Sequence, residues 1–234
     1  MTPERHQRLV AFLGTLGLGE PPDLAPVDEA LTHTSAGLAR NHERLEFVGD
    51  AVLRLAAAEY LQRYHPKLGV GAWSALRAQL VSDRALAALG EACDIEAVLL
   101  QADATRLDPI ARPTVLAETT EALIGGLHEA WGDLEPVHRW LTPHWQRATA
   151  ELMADPHRHN WKQALQEWSQ GKGLGLPSYA VEERHQSHGH PERFHGRVDL
   201  AGKPLGEGSG RSRREAEQQA ARQALEGLRP SPDA

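Results

Sequence analysis

Cysteine is nearly absent from this 234-residue chain, where Cys93 stands alone. One thiol closes no internal disulfide and falls short of the several thiolates or imidazoles at set spacings that a zinc site needs, so a reducing, cytoplasmic setting is expected. Long apolar runs are missing too. No stretch approaches the ~18 consecutive apolar residues of a membrane-spanning helix, and the opening Met1-Thr-Pro-Glu-Arg-His-Gln-Arg8 lacks the basic-then-apolar layout of an export signal. Aromatic residues amount to only 5%. That scarcity disfavours an aromatic-lined sugar cleft, and equally a stacking platform for single-stranded nucleic acid.

What is present is 41% apolar residues, enough for a core, and a net charge of −7. Taken whole, the charge argues against a nucleic-acid binder, but its distribution is uneven. Residues 1–154 carry 13 basic and 21 acidic side chains, net −8, whereas residues 155–234 carry 12 and 11, net +1. Such asymmetry points to two domains with different partners. The break falls at the polar, proline-containing stretch Met153-Ala-Asp-Pro-His-Arg-His-Asn160, so we expect a first domain over 1–153, a linker over 154–157, a second domain over 158–229 and a tail over 230–234.

The first half reads as all helix, with expected helices at 4–15, 26–33, 41–63, 72–80, 83–91, 114–130 and 134–152. The second reads as α-β-β-β-α: a helix at 158–169, strands at 178–186, 192–201 and 203–207, and a helix at 212–228. Trp161, Ala164, Leu165 and Trp168 form the apolar face of its first helix, Tyr179 and Val181 alternate with polar neighbours, and Ser212-Arg-Arg-Glu215 is a capping box.

Chemistry concentrates in Asn41-His-Glu-Arg-Leu-Glu-Phe-Val-Gly-Asp-Ala-Val-Leu53. At ~100° per residue, Glu43, Glu46 and Asp50 share one stripe of a helix that is otherwise apolar nearly all round, which predicts burial. Lone buried carboxylates are very costly, so something must compensate them. Arg44 and Arg54 are the nearby candidates, and a structural ion-pair network is one reading. A second apolar helix, Val115 to Gly126, carries Glu118 and Glu121 at i, i+3 with no basic residue between Arg112 and His128. Two such helices face to face would make an all-oxygen site suited to Mg²⁺ or Mn²⁺, the device used for phosphodiester hydrolysis.

These segments resemble the ribonuclease III family. Asn41 to Leu53 is similar to the family signature, Leu31-Thr-His-Thr-Ser35 to its Leu-Thr-His-x-Ser element, Gly71 to Ser82 to the next segment, and Leu116 to Gly126 to its second acidic helix. The resemblance implies an all-α, homodimeric, Mg²⁺-dependent endonuclease for double-stranded RNA, with Mn²⁺ as a substitute ion. It implies 5′-phosphate and 3′-hydroxyl ends with short 3′ overhangs, and ribosomal-RNA precursors and structured messages as substrates. Carried over, Glu46, Asp50, Glu118 and Glu121 would be the metal-binding and catalytic carboxylates, with Glu43 accessory. Phe47 would enter the partner subunit, ordinary core packing being the alternative. Two departures stand out: Glu118 where the family usually has aspartate, and Val70 where it often has glutamate. A non-cleaving double-stranded RNA-binding protein on the same fold is the rival reading.

The second half resembles a double-stranded RNA-binding domain, an α+β module. Arg211, Arg213 and Arg214 sit at the start of its last helix, where unpaired N–H groups already favour phosphate, and Arg213-Arg214 replace the common Lys-Lys pair. Gln166 and Glu167 match the first-helix contacts with RNA, and His190 aligns with a loop contact, mere solvation being as good a reading for that histidine. No small-molecule cofactor beyond the metal is expected, and no membrane.

Overall fold

The computed structural model describes residues 1–154, 161–187 and 190–228. The chain forms two compact units, Met1–Glu151 and Leu152–Ala234. The linker expected at 154–157 lies, apart from Ala154, outside the described residues.

The first unit is helical: α1 (Pro3–Thr15), α2 (Ala25–Ala30), α3 (Glu43–Tyr64), α4 (Val70–Leu80), α5 (Asp83–Ala92), α6 (Asp103–Arg106), α7 (Arg112–Trp131) and α8 (Glu135–Ala154), with 3₁₀ turns at Thr34–Ala36 and Ile95–Ala97. Starts follow local chemistry. The Thr2 hydroxyl accepts from the Arg5 amide at 3.2 Å, the Ser82 hydroxyl from the Ala85 amide at 3.4 Å, and the Asn41 side chain from the Glu43 amide at 3.1 Å. The second helix stops at Ala30 rather than 33. Beyond it the backbone is pulled straight, because the His33 amide donates to Leu100 O at 2.8 Å and the Leu100 amide to Leu31 O at 3.0 Å.

α7 is the axis of this unit and packs against α3, α5 and α2. Small residues permit that. A Cβ on Gly125 would stand 2.2 Å from Leu45 O, one on Gly90 2.5 Å from the Thr120 hydroxyl, and one on Gly126 2.9 Å from Pro26 O. Between these close approaches lie fully buried Leu45, Leu53, Leu123, Ile124 and Leu127. Buried Arg5 ties the edge together, donating to Asp28 at 2.8 Å and to the carbonyls of Leu31 and Val98.

The expectation of a third helix buried nearly all round is corrected. Phe47, Ala51 and Leu55, at i, i+4 and i+8 of α3, form an exposed stripe, with Phe47 84% exposed. Core packing is therefore not the role of Phe47 in the single chain.

The second unit is α9 (Trp161–Gly171), β1 (Ser178–Glu183), β2 (Phe194–Leu200), β3 (Lys203–Gly210) and α10 (Arg213–Leu228). The strands form one antiparallel sheet in the order β1-β2-β3. Trp161, Leu165, Val198, Ala220, Ala221 and Ala224 make its core. The third strand reaches Gly210, beyond the expected 207. Gly206, Gly208 and Gly210 repeat every second residue and so share one face, and each lacks the Cβ that would strike α10 at 2.4–2.7 Å.

Among the described residues, no helix is long and apolar enough to cross a membrane.

Candidate functional site

The carboxylates of α3 and α7 meet where those helices touch. Glu46 and Asp50 stand one turn apart on α3, and a Cβ on Gly49 between them would lie 2.0 Å from Glu121 O, so Glu121 is held directly against that face. Glu118 is one turn earlier on α7. The four side chains are half-buried at the rim of the interface rather than in the core.

Their ionisation shows the crowding. Burial pushes the Glu121 carboxyl up to about 7, helped by the charges of Asp50 and Glu46, a hydrogen bond shared with Asp50, and the charge of Asp83. Burial, then the charge of Glu118, raises Glu46, with the nearby His42 opposing; Glu43 adds a smaller push. Burial and then Asp83 raise Glu118. Asp50 alone moves down, because Arg54 donates to it at 2.7 Å. Arg44 does not serve the cluster; it donates to Glu29 at 2.9 Å and to both oxygens of Glu129 at 2.8 and 3.0 Å. On the helical wheel it lies opposite Glu46, whereas Arg54 is one turn beyond Asp50.

The donor set therefore fits a divalent cation. Hard oxygen ligands converge, one guanidinium is hydrogen-bonded to them, and burial together with the neighbouring carboxylates raises Glu121 to about 7. Glu43 is exposed at the margin, and Val70 is 72% exposed at the start of α4.

Two groups here escaped the sequence reading. Asp83, in the first turn of α5 behind its Ser82 cap, reads locally as a helix-dipole residue and reaches the cluster only because α5 packs on α7. His42 is 2% exposed, with Nε2 3.5 Å from a Glu46 oxygen and 3.9 Å from a Glu118 oxygen. Its contact with Glu46 is an i, i+4 pair, whereas its approach to Glu118 depends on the packing of α3 on α7.

In the second unit, Gln166 and Glu167 border a surface hollow together with Lys162, Gln163 and Tyr179. The Gln163 side chain donates to Glu167 at 2.8 Å. At the other end of the sheet, the Ser212 hydroxyl accepts from the Glu215 amide at 3.2 Å, and the Glu215 carboxylate accepts from the Arg211 amide at 2.8 Å, one residue earlier than in the expected capping box. Arg214 is exposed. Arg213 is partly engaged, donating to Val181 O at 3.1 Å with its guanidinium 5.4 Å from the centre of the Phe194 ring. His190 stacks on His185 at 4.0 Å, and its Nδ1 accepts from the Glu192 amide at 3.2 Å.

A helical unit with four convergent carboxylates, followed by an α-β-β-β-α module, defines a nuclease with an attached nucleic-acid-binding domain. Residues 25–133 match the ribonuclease-III-like family model, and residues 161–228 match the double-stranded RNA binding motif. Ribonuclease 3 of Prochlorococcus marinus is 51% identical over 86% of this chain and 81% of its own. Ribonuclease 3 2 of Synechocystis is 43% identical over 97% and 93%, and ribonuclease 3 of Gloeobacter violaceus 40% over 100% and 96%. A solved nuclease domain of ribonuclease III from Campylobacter jejuni covers 60% of this chain and 92% of its own at 30% identity, with a TM-score of 0.48. The chain belongs to the ribonuclease III family and is an endoribonuclease of that type for double-stranded RNA.

Proposed function

We propose that this chain hydrolyses duplex RNA at a divalent-cation centre held by Glu46, Asp50, Glu118 and Glu121, with Mg²⁺ or Mn²⁺ as the ion. The observation that carries this reading is the convergence of four half-buried carboxylates where α3 and α7 touch, with Glu121 held against the face that bears Glu46 and Asp50 and its carboxyl raised by burial and by their charges. A divalent cation bound there would activate a water as nucleophile and neutralise charge on the leaving oxygen. Arg54 keeps Asp50 ionised and fixes its direction, so that Asp50 offers an oxygen ligand at any physiological pH. Glu121, raised to about 7, would give up its proton to serve as an oxygen ligand when a divalent cation is held there. Glu43, at the margin, borders the RNA path rather than the ion. Hydrolysis in this sense leaves 5′-phosphate and 3′-hydroxyl ends.

The exposed stripe of Phe47, Ala51 and Leu55 supports a homodimer, because an apolar ridge of this kind on a helix is costly to leave in water. Two copies would each cut one strand. The second domain, over 158–229, supplies the affinity. Gln166, Glu167 and His190 would meet ribose hydroxyls in minor grooves, while Arg211, Arg213 and Arg214 meet phosphates. Ribosomal-RNA precursors and structured messages are the substrates that this specificity suits.

The test is a gel assay with a long, end-labelled RNA duplex in Mg²⁺, in Mn²⁺ and in chelator, beside Glu121→Gln. We expect metal-dependent shortening to duplex fragments bearing 5′-phosphates, lost in the variant. Cleavage that persists in chelator would overturn the metal centre, and binding without cleavage under every ion would leave an RNA-binding protein on a nuclease fold.

A further inference from the structure

The proposed centre leaves His42 without a role, although that side chain is 2% exposed and turned toward two of its carboxylates. Its ring is held on both sides. Nδ1 faces Thr32 O at 3.4 Å, and the plane stacks on His33 with centroids 4.9 Å apart and 17° between planes. His33 is itself pinned, its Nδ1 accepting from the Ser35 amide at 3.1 Å and lying 2.8 Å from the Ser35 hydroxyl. With Nδ1 of His42 directed at a carbonyl, Nε2 is the ring nitrogen turned toward the carboxylate cluster.

Nε2 faces two carboxylates. Glu46 Oε2 is 3.5 Å away and Glu118 Oε2 is 3.9 Å away, both too far for a good N–H···O bond. A cation placed between them would take all three groups as ligands. Two ligands each about 2.1 Å from one ion stand about 3.0 Å apart when cis in an octahedron, about 3.4 Å in a tetrahedron and about 4.2 Å when trans. Both observed separations fall inside that span. A ligand atom of His33, one of His42 and a Glu118 oxygen also lie within 4.8 Å of one another.

The geometry points to His42 Nε2 as a nitrogen ligand that joins Glu46 and Glu118 on a shared cation, with His33 as the positioning residue that fixes its ring. This inference rests on the carboxylate cluster being a metal centre. It explains the glutamate at 118, whose extra methylene carries the carboxylate toward the imidazole where an aspartate would stop short. It also sets the ion, because one imidazole among carboxylates shifts preference from Mg²⁺ toward borderline cations such as Mn²⁺ or Co²⁺.

The experiment is pulsed electron paramagnetic resonance on the full-length protein loaded with Mn²⁺ alone, without RNA, reading the nitrogen modulation of a directly bound imidazole. We expect ¹⁴N modulation in the wild type, its replacement by the ¹⁵N pattern on histidine labelling, and its loss in His42→Asn. The same variant should lower the preference for Mn²⁺ over Mg²⁺ by about tenfold or more in equilibrium binding. Glu118→Asp should move the preference in the same direction. Bound Mn²⁺ without nitrogen modulation would overturn the histidine ligand while leaving an all-oxygen centre. Modulation that survives His42→Asn overturns it as well, by assigning the nitrogen elsewhere. A wild type that binds no Mn²⁺ removes the metal centre itself, and this inference with it. The labelled wild type needs no substitution, so absence of nitrogen modulation there overturns the proposal even if one variant fails to fold, and His42→Gln provides a second variant for the assignment.

Discussion

Gly49 and Glu121 touch backbone to backbone, for a Cβ on the glycine would lie 2.0 Å from the glutamate's carbonyl oxygen and 2.8 Å from its carbonyl carbon. Gly125 makes the reciprocal approach, for a Cβ there would lie 2.2 Å from Leu45 O and 2.9 Å from the Gly49 amide nitrogen. Glycine thus sits on both sides of one helix crossing, and that crossing sets the distance between the Asp50 and Glu121 carboxylates. Backbone atoms cannot escape by changing rotamer.

Gly49→Ala should therefore separate α3 from α7. Alanine gains about 1 kcal/mol of helix propensity, but overpacking against a carbonyl costs about 1–3 kcal/mol, so the net is a loss. A carboxylate displaced by a fraction of an ångström should cost about tenfold or more in cleavage. Gly14→Ala is the control, since nothing lies within 4 Å of its Cβ position, and it should be neutral or stabilising. Thermal melts and cleavage rates check both; a Gly49→Ala protein with wild-type melting would show that the helices have slack.

The Glu121 carboxyl, raised to about 7 from an ordinary value near 4.5, gives a pH dependence of definite sign. A raised value means that the folded state holds its proton more tightly than the unfolded chain. This contribution to stability is full below about pH 4.5 and is lost as pH rises through about 7. In chelator, stability should fall across that window by about 1 kcal/mol, the half-exposed site being screened by solvent. Glu121→Gln should reduce the fall, with Glu46 and Glu118, whose carboxyls are also raised, keeping the remainder. Asp50 does not mask it, because its lowered carboxyl titrates below that window. Divalent cation should reverse the trend, with proton release that calorimetry in two buffers would detect. Parallel melting curves for wild type and Glu121→Gln would refute the assignment.

The sequence made α3 and α7 legible because acids spaced at i, i+3 and i, i+4 stand out against an apolar background. Their facing arrangement could be expected from the paired acids, but the glycine contacts that set its distance could not, since a glycine's packing partner cannot be read from its neighbours in the chain. The same limit explains β3. Gly206-Glu-Gly-Ser-Gly210 looks like a loop by composition, yet its glycines are where α10 lies closest to the sheet. Asp83 escaped for a related reason, as it reaches the cluster only through the packing of α5 on α7, whereas His42, one turn before Glu46, needed only the i, i+4 spacing to be followed back past the helix start. Arg44 and Arg54 are the opposite case, since helical angle alone separates the one that serves Asp50 from the one that does not.

Phe47 should matter to association and not to the fold of a single chain, being 84% exposed. Burying one phenylalanine is worth about 2 kcal/mol, and a two-fold interface counts it twice. Phe47→Ala should weaken dimerisation about a hundredfold or more in sedimentation equilibrium, while the melting of the diluted monomer stays unchanged. Unaltered association would place the dimer contact elsewhere.

Arg213 and Arg214 are adjacent in sequence but differently placed, and their substitutions should separate accordingly. Arg214 is exposed, so Arg214→Ala should weaken duplex binding evenly across sequences and reduce the slope of log affinity against log salt by about 1. Arg213 also donates to Val181 O at 3.1 Å and lies over Phe194. Removing it should cost the same salt slope and, in addition, about 1 kcal/mol of stability from the lost hydrogen bond and ring contact. Arg213→Lys retains the charge without the planar fork, so it should restore the slope more fully than the melting temperature. If Arg213→Ala lowers stability and leaves the slope intact, the guanidinium is a fastener between α10 and β1 and the phosphate contact belongs to Arg214 and Arg211.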